Sequence, residues 1–155
     1  MPAESRRVLL AAARSRRLPP LAPASLVLHP FPHALQNRNP TTLVAAARPD
    51  AWPIRDGSIT EARIDAALPP DELRNAVAEC SRVLAADGRL TVDAPLRLGS
   101  RGFCRRLLAG LFRLPPPPAP ESVARLLFDH GFDRIEQEFH GSLGSFRARR
   151  LAGRR

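Results

Sequence analysis

The most regular hydrophobic pattern in this chain lies between Asp71 and Pro95. Apolar residues recur there at three- and four-residue spacing and form one stripe along a helix: Leu73, Ala76, Val77, Cys80, Val83 and Leu84. Asp71 suits the N-cap position, and Gly88 suits a left-handed helix end. Because the strand-like segment RLTVDAP follows directly, the pattern predicts a helix, a tight turn and a strand, which make half of a βαβ unit.

Shorter apolar runs predict strands before this helix. Residues Ser25 to His29 and Thr41 to Ala47 are short, aliphatic and bounded by proline, which is typical of buried strands. Residues Ile59 to Leu68 contain alternating apolar and charged positions and predict a further strand. Parallel neighbours usually need a crossover of about a dozen residues, most often a helix, but the intervals 30–40 and 48–58 contain two or three prolines each. We therefore expect loops there and a shortened N-terminal half.

The N-terminus is rich in arginine. Residues 5–18 contain good helix formers behind a serine and end at two prolines, so they predict a basic surface helix, followed by a stiff connector up to residue 24. The same arginine-rich, acid-poor composition is typical of organelle-targeting peptides. A targeting segment therefore stays open as the alternative.

The region after residue 101 predicts two helices and a hairpin. Residues 102–114 form a basic amphipathic helix with four apolar residues on one face: Phe103, Leu107, Leu111 and Leu114. A second helix extends from Glu121 to His130, with Gly131 at its end and Phe132 placed for the contact that often accompanies such a cap. Two alternating segments after it predict an antiparallel pair of strands.

The composition adds a strong positive charge. The chain has 155 residues, with 24 basic against 15 acidic side chains and a formal net charge of +9. This length suits one domain, and the charge keeps nucleic acid and anionic membranes open as partners. No apolar run approaches the roughly 20 residues of a membrane-spanning helix. Cys80 and Cys104 form no CxxC pair, so we expect no disulfide framework and a cytoplasmic location.

Few residues suggest a chemical centre. His29 and His33 are four apart, but the prolines around them exclude the helix that would bring both rings to one metal ion. Asp65 and Asp93 stand near strand ends, where a carboxylate could act as a base, but nothing in the sequence assigns that role to them. The sequence therefore leaves the catalytic residue unknown and predicts no metal site.

Several short motifs occur in a fixed order between Trp52 and about Arg150. They are Trp52-Pro53-Ile54, Asp56-Gly57-Ser58, Glu79, Arg82-Val83-Leu84, Gly88, Pro95 and Gly131-Phe132. With these motifs the chain resembles the C-terminal two thirds of class I S-adenosylmethionine-dependent methyltransferases, in particular the group called type 11. The resemblance implies an α/β fold with a Rossmann-like methyltransferase sheet, mostly parallel, with an antiparallel C-terminal edge strand. It also implies S-adenosylmethionine as the cofactor of a methyl transfer.

The resemblance also implies where the cofactor would lie. In the family, a Gly-rich turn follows the first strand, and the second strand ends in an acidic residue that holds the ribose hydroxyls. With Ser25 to His29 as the first strand and Thr41 to Ala47 as the second, this chain has neither feature. Asp50 and Ala51 resemble the family's adenine-contacting Asp-Ala pair. The expected contacts are Asp50, Ala51 and the backbone around His29, in a degenerate cofactor site.

The expected organisation has three parts: a basic helix and connector at 1–24, a methyltransferase-like domain at 25–150 and a basic tail at 151–155. Three functions stay open. The first is that of an S-adenosylmethionine-dependent methyltransferase with a small-molecule or macromolecular acceptor. The second is that of a non-catalytic methyltransferase-fold interaction module for an acidic partner, and the third is that of a basic nucleic-acid-binding protein. The expected partner contacts are Arg105, Arg106, Arg149 and Arg150.

Overall fold

The computed structural model describes residues 7–11, 25–29, 43–48, 50–65, 68–96, 118–141 and 143–151. These residues form seven strands and two helices: β1 (Arg7–Ala11), β2 (Ser25–His29), β3 (Leu43–Ala46), β4 (Ile59–Asp65), α1 (Pro70–Val83), β5 (Leu84–Pro95), α2 (Pro120–Asp129), β6 (Phe132–His140) and β7 (Leu143–Arg150). Residues 12–18 of the predicted N-terminal helix, the connector after it up to residue 24, the predicted basic helix at 102–114 and residues 152–155 lie outside the described residues.

All of these strands form one sheet in the order β3-β2-β1-β4-β5-β7-β6. The first five in this order are parallel to one another, and β7 runs antiparallel to both β5 and β6. The sheet is therefore mostly parallel and Rossmann-like, as predicted. The antiparallel strand β7 is next to the edge of the sheet, and β6, which pairs with the outer side of β7, is the edge strand.

The N-terminal strand β1 is where the prediction from sequence was wrong. Residues Arg7–Ala11 lie at the centre of the sheet, whereas the helix formers around them predicted a basic helix. β1 pairs with β2 on one side and β4 on the other, with Leu10 opposite both Leu28 and Ile64. A short apolar run cannot be assigned to strand or helix from periodicity alone, and pairing on both sides decides for the strand. The sheet therefore begins inside the segment that the predicted organisation gave to a helix and connector.

Helix α1 begins and ends earlier than the sequence predicted. Pro69 is its N-cap residue and Pro70 its first residue, a position where the missing N–H would have no partner anyway. Asp71 lies in the first turn instead of at the cap. The helix ends at Val83, and β5 begins before Asp87, whose φ is 61°. Gly88 therefore lies within β5, where the pairing with β4 shifts register, and not at the helix end.

Helix α2 ends as predicted. Gly131 adopts a φ of +81° and donates its N–H to the carbonyl oxygen of Phe128 at 3.1 Å. Glycine takes this left-handed conformation at little cost. Phe132 follows directly and is fully buried. The helix therefore stops at this point and the chain turns into β6.

One face of the sheet forms the core with the two helices, and we call it the helix-covered face. Alternate residues of β4, β5 and β7 are buried there: Ala62, Ile64, Leu90, Val92, Ala94, Phe146 and Ala148. The helices contribute the rest of the apolar contact: Leu73, Ala76, Val77, Cys80, Val83, Val123 and Leu127. Removing this apolar surface from water is the main favourable contribution to folding.

The other face of β4, β5 and β7 is polar, and we call it the charged face. Its residues occupy the positions between the buried ones and lie opposite one another across the three strands: Glu61, Arg89 and Arg149 in one row, and Arg63, Thr91 and Arg147 in the next. Parallel strands that are covered by helices on both faces have continuous apolar sequences. The alternation in β4 and β5 instead predicts the polar surface that the structure shows.

Among the described residues, no helix combines the length and the apolar character that crossing a membrane requires.

Candidate functional site

The strand order reverses between β1 and β4. From β1 the chain continues to β2 and β3 on one side, and it then returns to β4 on the other side. In open parallel sheets, ligands bind outside the carboxyl ends of the strands at such a reversal. The carboxyl edge around β1 and β4 is therefore the candidate functional site.

One row of residues crosses the sheet at this edge. Ala11 lies opposite Asp65, and Asp65 lies opposite Asp93. On the other side of β1, His29 ends β2 and lies opposite Ala46 of β3. The structure thus brings His29, Asp65 and Asp93 to one edge, although they are far apart in the sequence.

Asp93 is the buried acid of this row. It is 8% exposed, and its Oδ2 accepts hydrogen bonds from Arg63 Nε at 2.9 Å and from Arg63 Nη2 at 2.7 Å. A buried carboxylate needs such a partner, because desolvation of an unpaired charge is costly. The ion pair therefore explains why Asp93 is tolerated here. It also occupies one oxygen of the carboxylate that the sequence offered as a base.

The central position of β1 moves the expected place of the Gly-rich turn. Because β1 is the first strand, this turn would begin at Ala12 and not after His29. Residues 12–17 are AARSRR, and the first glycine of the whole chain is Gly57. The turn therefore lacks glycine in its corrected place as well. His29 now ends the second strand, where the family has its ribose-holding acid, and β3 is the third strand.

Asp50 and Ala51 follow β3 in a turn beside the carboxyl edge. The N–H of Ala51 donates to the carbonyl oxygen of Arg48 at 3.3 Å. Asp50 Oδ1 lies 3.3 Å from Arg48 Nε, and both side chains are well exposed. Exposed ion pairs of this kind contribute little energy, so the Asp50 carboxylate remains available to a ligand.

A glutamate and an arginine of α1 hold the segment that follows this turn. Glu79 Oε2 accepts the backbone N–H of Trp52 at 2.9 Å. Arg82 donates to the carbonyl oxygens of Trp52 at 3.0 Å and Ile54 at 2.8 Å, and to Asp56 Oδ1 at 2.5 Å. Arg82 also donates to both carboxylate oxygens of Glu79. We call this group the Glu79–Arg82 clamp.

The clamp is ionic at neutral pH. Its two members are three residues apart on α1, which places them on one face of the helix. The hydrogen bond from Arg82 lowers the pKa of the Glu79 carboxyl, against the opposing effect of burial. The bonds to Glu79 and Asp56 raise the pKa of Arg82. The clamp thus satisfies backbone groups of the loop that would otherwise be left without partners.

Trp52 places a free hydrogen-bond donor next to this turn. The side chain is 5% exposed and packs in the core. Its indole Nε1 is buried and has no partner among the residues that the structure describes. Buried indole N–H groups ordinarily find an acceptor. We therefore expect that a group outside the described residues accepts this hydrogen bond.

Cys80 and the metal-ligating residue types provide no second candidate site among the described residues. Cys80 is fully buried on the helix-covered face, and burial raises the pKa of its thiol, so it is not a nucleophile. Within the described ranges, no three His, Cys, Asp or Glu residues come together as a metal-binding set.

The predicted partner contacts separate into different environments. Arg150 Nη1 donates to the carbonyl oxygen of Leu84 and so ties β7 to the beginning of β5. Arg149 lies on the charged face opposite Arg89. Arg105 and Arg106 lie outside the described residues, so their contacts stay a prediction.

The strand order and the antiparallel β7 give this chain a class I S-adenosylmethionine-dependent methyltransferase-like fold. A methyltransferase of this kind from Archaeoglobus fulgidus aligns with a TM-score of 0.72 and 11% identity, over 96% of this chain and 87% of its own. The methyltransferase in complex with the Haloferax volcanii Trm112 methyltransferase activator aligns with a TM-score of 0.67 and 10% identity, over 98% of this chain and 86% of its own. A third, from Thermotoga maritima, aligns with a TM-score of 0.63 and 15% identity, over 80% and 72%.

No family model matches the chain, and no curated protein is similar to it in sequence. Identities this low support the shared fold alone, so the activity has to be argued from the residues of this chain.

These residues fit one half of S-adenosylmethionine better than the other. On the adenosine side, the clamp holds Trp52, Asp50 offers an exposed carboxylate, and the buried indole N–H needs an acceptor. On the methionine side, the turn after β1 needs close approach of backbone to ligand, which glycine permits and larger residues hinder. Residues 12–17 have no glycine. The described residues therefore offer the adenosine side one exposed group, the Asp50 carboxylate, while His29 stands where the acid for the ribose would be.

The sequence did not reveal the Glu79–Arg82 clamp as part of this site. Both residues were recognised as motif residues, but only as parts of a helix end. The available signal was the Glu-x-x-Arg spacing on the polar side of an amphipathic helix. Their partners lie 25 to 30 residues away in sequence, which local patterns cannot show.

Proposed function

We propose that this chain is a methyltransferase-fold protein that binds the adenosine half of S-adenosylmethionine at the carboxyl edge, and that it transfers methyl groups slowly or not at all. The observation that carries the proposal is the clamp, because it fixes the segment from Trp52 to Asp56 directly after the Asp50-Ala51 turn. When bound, S-adenosylmethionine would supply the methyl group for transfer.

One exposed group and the held loop beside it support recognition of adenosine. The Asp50 carboxylate is exposed and can accept a hydrogen bond from an amino group such as that of adenine. The clamp lowers the entropy cost of ordering the loop on binding, because the loop is already held in the free protein. Binding through Asp50 therefore needs no large rearrangement.

The methionine end of the cofactor has less support. A bound amino-acid moiety needs backbone N–H donors and space at the turn after the first strand. The arginines and alanines of residues 12–17 fill this place in the sequence. We therefore expect the methionine moiety to add little affinity, and we expect binding without efficient turnover.

Titration calorimetry with adenosine, S-adenosylhomocysteine and S-adenosylmethionine tests this proposal. We expect all three to bind, with dissociation constants within about tenfold of one another, a difference of about 1.4 kcal/mol. If S-adenosylhomocysteine binds more than about a hundredfold tighter than adenosine, the methionine end is recognised and this proposal is wrong. Absence of heat with all three ligands at millimolar concentration would also overturn it.

A pair of matched variants locates the site. We expect Asp50→Asn to weaken adenosine binding by about tenfold, because one charged acceptor is lost. Asp71→Asn removes the same charge from an exposed position in the first turn of α1 and should leave binding unchanged. Equal effects of both variants would place the ligand elsewhere. A radiolabelled methyl-transfer assay on the same samples measures turnover directly.

A second candidate function is a non-catalytic module for an acidic partner, and the distribution of charge favours it. The described residues contain fourteen acidic and twelve arginine residues, whereas the rest of the chain contains twelve arginines and one acid, Glu4. The whole positive excess therefore belongs to the other segments. A solved structure with this fold is a complex with an activator protein, which shows for that protein that a partner can be bound.

Binding to polyglutamate and to duplex DNA separates the kinds of partner. For an acidic protein partner, we expect polyglutamate to bind and its affinity to fall when Arg105 and Arg106 are both changed to Gln. The matched control changes Arg74 and Arg125, which are exposed on the two described helices. Tighter binding of DNA than of polyglutamate, with a steep salt dependence, would instead favour the nucleic-acid-binding function.

A further inference from the structure

The charged face contains a hollow that the carboxyl-edge site does not use. The hollow has a volume of about 530 Å³, and four arginines and two glutamates line it: Arg89, Arg134, Arg147, Arg149, Glu61 and Glu136. Glu61 stands four residues before Asp65 on β4, so the hollow lies about 13 Å from the carboxyl edge. The volume is within the range of small-molecule sites.

Two arginines face each other across this hollow. Arg89 of β5 and Arg149 of β7 are directly opposite in an antiparallel pair. Side chains at such positions are close, and like charges there are destabilising. Glu61 lies opposite Arg89 on its other side and offsets part of this repulsion, and a bound anion would relieve the rest.

The described acids do not neutralise these arginines. Arg147 forms an ion pair with Glu138 at 3.3 Å, and Glu61 is engaged in a contact of its own. Among the ion pairs of the described residues, none involves Arg89, Arg134 or Arg149. The remaining segments contain a single acidic residue, Glu4. Arginines outnumber the two glutamates of the lining, so we expect a bound anion to supply the remaining counter-charge.

The backbone next to the hollow is unusual at Arg134. This residue has a φ of 48°, a backbone conformation that residues other than glycine rarely adopt. It lies in the irregular part of β6, between Asp133 and Glu136, where the pairing with β7 shifts register. Such bulges redirect a side chain, and here the arginine at the bulge lines the hollow.

The number of guanidinium groups indicates the kind of anion. One arginine satisfies a carboxylate through two parallel hydrogen bonds. Three arginines without ion-pair partners around one hollow suit an anion with more charges and more oxygens, and the planar guanidinium matches phosphate oxygens in the same paired geometry. A phosphate ester or a diphosphate meets both requirements.

We propose that the hollow lined by Arg89, Arg134 and Arg149 is a binding site for phosphate groups. The site lies on the charged face, away from the proposed adenosine contact at Asp50. The two proposals are therefore independent, and adenosine and diphosphate as separate probes distinguish the failure of one from the failure of the other.

Titration of the full chain with inorganic diphosphate tests the site. We expect binding at low salt that weakens as salt is added, and we expect Arg89→Gln and Arg134→Gln each to weaken it at least tenfold. Glu136→Gln removes a repelling charge from the lining and should tighten binding. Arg74→Gln, an exposed arginine of α1, is the matched control and should change nothing. Equal affinity for the control and for Arg89→Gln, or no binding by the unaltered chain, would overturn the proposal.

Thermal melting provides a second measurement that does not need a known ligand. In phosphate-free buffer at low salt, we expect Arg89→Gln to raise the melting temperature, because it removes the facing like charge. Diphosphate should raise the melting temperature of the unaltered chain and have little effect on the variant. A lower melting temperature of Arg89→Gln in that buffer would show that the arginine is structural, against the proposal.

The phosphate could come from a small phosphorylated molecule or from a nucleic acid strand, and one comparison distinguishes them. A short single-stranded oligonucleotide is titrated beside diphosphate into the unaltered chain and into Arg89→Gln. Loss of both affinities in the variant assigns the hollow to nucleic acid phosphates, and loss of diphosphate binding alone assigns it to a small molecule. Retention of both affinities, or stronger competition by polyglutamate than by diphosphate, would contradict the proposal.

Discussion

The two faces of the sheet differ sharply, although the same strands form both. On the helix-covered face, Leu90, Val92 and Phe146 are fully buried. On the charged face, the residues between them are arginines, threonine and acids; Arg63, Arg89 and Arg147 are exposed. Because side chains alternate along a strand, one five-residue stretch such as 89–93 contributes to both surfaces.

This difference indicates that the helix-covered face stabilises the fold and that the charged face is suited to recognition. Apolar burial on the helix-covered face stabilises the fold in a non-directional way, and the identity of each apolar residue matters less than its volume. The charged face contributes little to stability, since exposed ion pairs are weak. Its arrangement of charges is instead suited to select a ligand of opposite charge.

The largest expected effect is on the helix-covered face. Phe146→Ala removes a fully buried ring that also contacts the Phe139 ring, with centroids 6.4 Å apart. We expect it to lower the free energy of unfolding by about 3 to 5 kcal/mol, measured by urea denaturation. The neighbouring Arg147→Ala, on the charged face, should cost about 0.5 kcal/mol or less. Similar losses for the two variants would contradict the distinction between the faces.

A smaller loss is expected when the clamp is opened. Arg82→Met keeps the apolar stem of the side chain but leaves Glu79 and the carbonyl oxygens of Trp52 and Ile54 without their donor. We expect a loss of about 2 to 3 kcal/mol in the free energy of unfolding. Adenosine affinity should fall as well, because the loop loses its fixed position. Arg74→Met on the same helix is the control, and an equal loss there would show that helix propensity, and not the clamp, is responsible.

Gly144 tests how tightly the helix-covered face is packed near the carboxyl edge. A Cβ at this position would overlap the side chain of Leu96, which is fully buried, and would also approach the Phe146 ring. We expect Gly144→Ala to cost about 1 to 3 kcal/mol by overpacking. Gly141→Ala offers a contrast, because nothing lies near its added Cβ and only the positive φ opposes it. If denaturation shows no loss for Gly144→Ala, then Leu96 has room to move.

The smallest expected effect is the pH dependence of the clamp. The pKa of Glu79 is lowered in the folded protein below its ordinary value of 4.5, so the folded state binds protons less readily than the unfolded state. The stabilisation from this group is therefore fully present above about pH 4.5 and is lost as the pH falls through the lowered pKa. The difference in unfolding free energy between the unaltered chain and Glu79→Gln should narrow between pH 5 and pH 3. A constant difference over this range would show that ionisation of Glu79 does not contribute.

Much of the fold could be predicted from the sequence because the signals are local. The apolar stripe of α1, the glycine end of α2 and the alternation of β4 are patterns within one element, and the structure confirms each element. The prediction of a helix at the position of β1 was wrong, because a short apolar run among helix formers has no periodicity of its own. Its pairing with β2 and β4 decides its conformation, and pairing is not a local property.

The candidate site was predictable to a smaller extent. The resemblance named Asp50 and Ala51 as cofactor contacts, which stay a prediction, and the absence of glycine in the first third of the chain is visible in the sequence. The predicted position of the Gly-rich turn, after His29, was wrong, because that position depends on which strand is the first. The Glu79–Arg82 clamp was not predicted as part of the site, since its loop partners are more than twenty residues away.

The sequence by itself determined the helices α1 and α2, most of the strands, the alternation that makes one face charged and the total charge, because each of these depends on spacing or composition. The tertiary structure alone decided the central place of β1, the position of His29 at the end of the second strand and the meeting of Arg89 with Arg149. These features depend on which strands pair and in which register. Pairing is decided by the burial of the whole sheet, and that burial is a property of all the elements together.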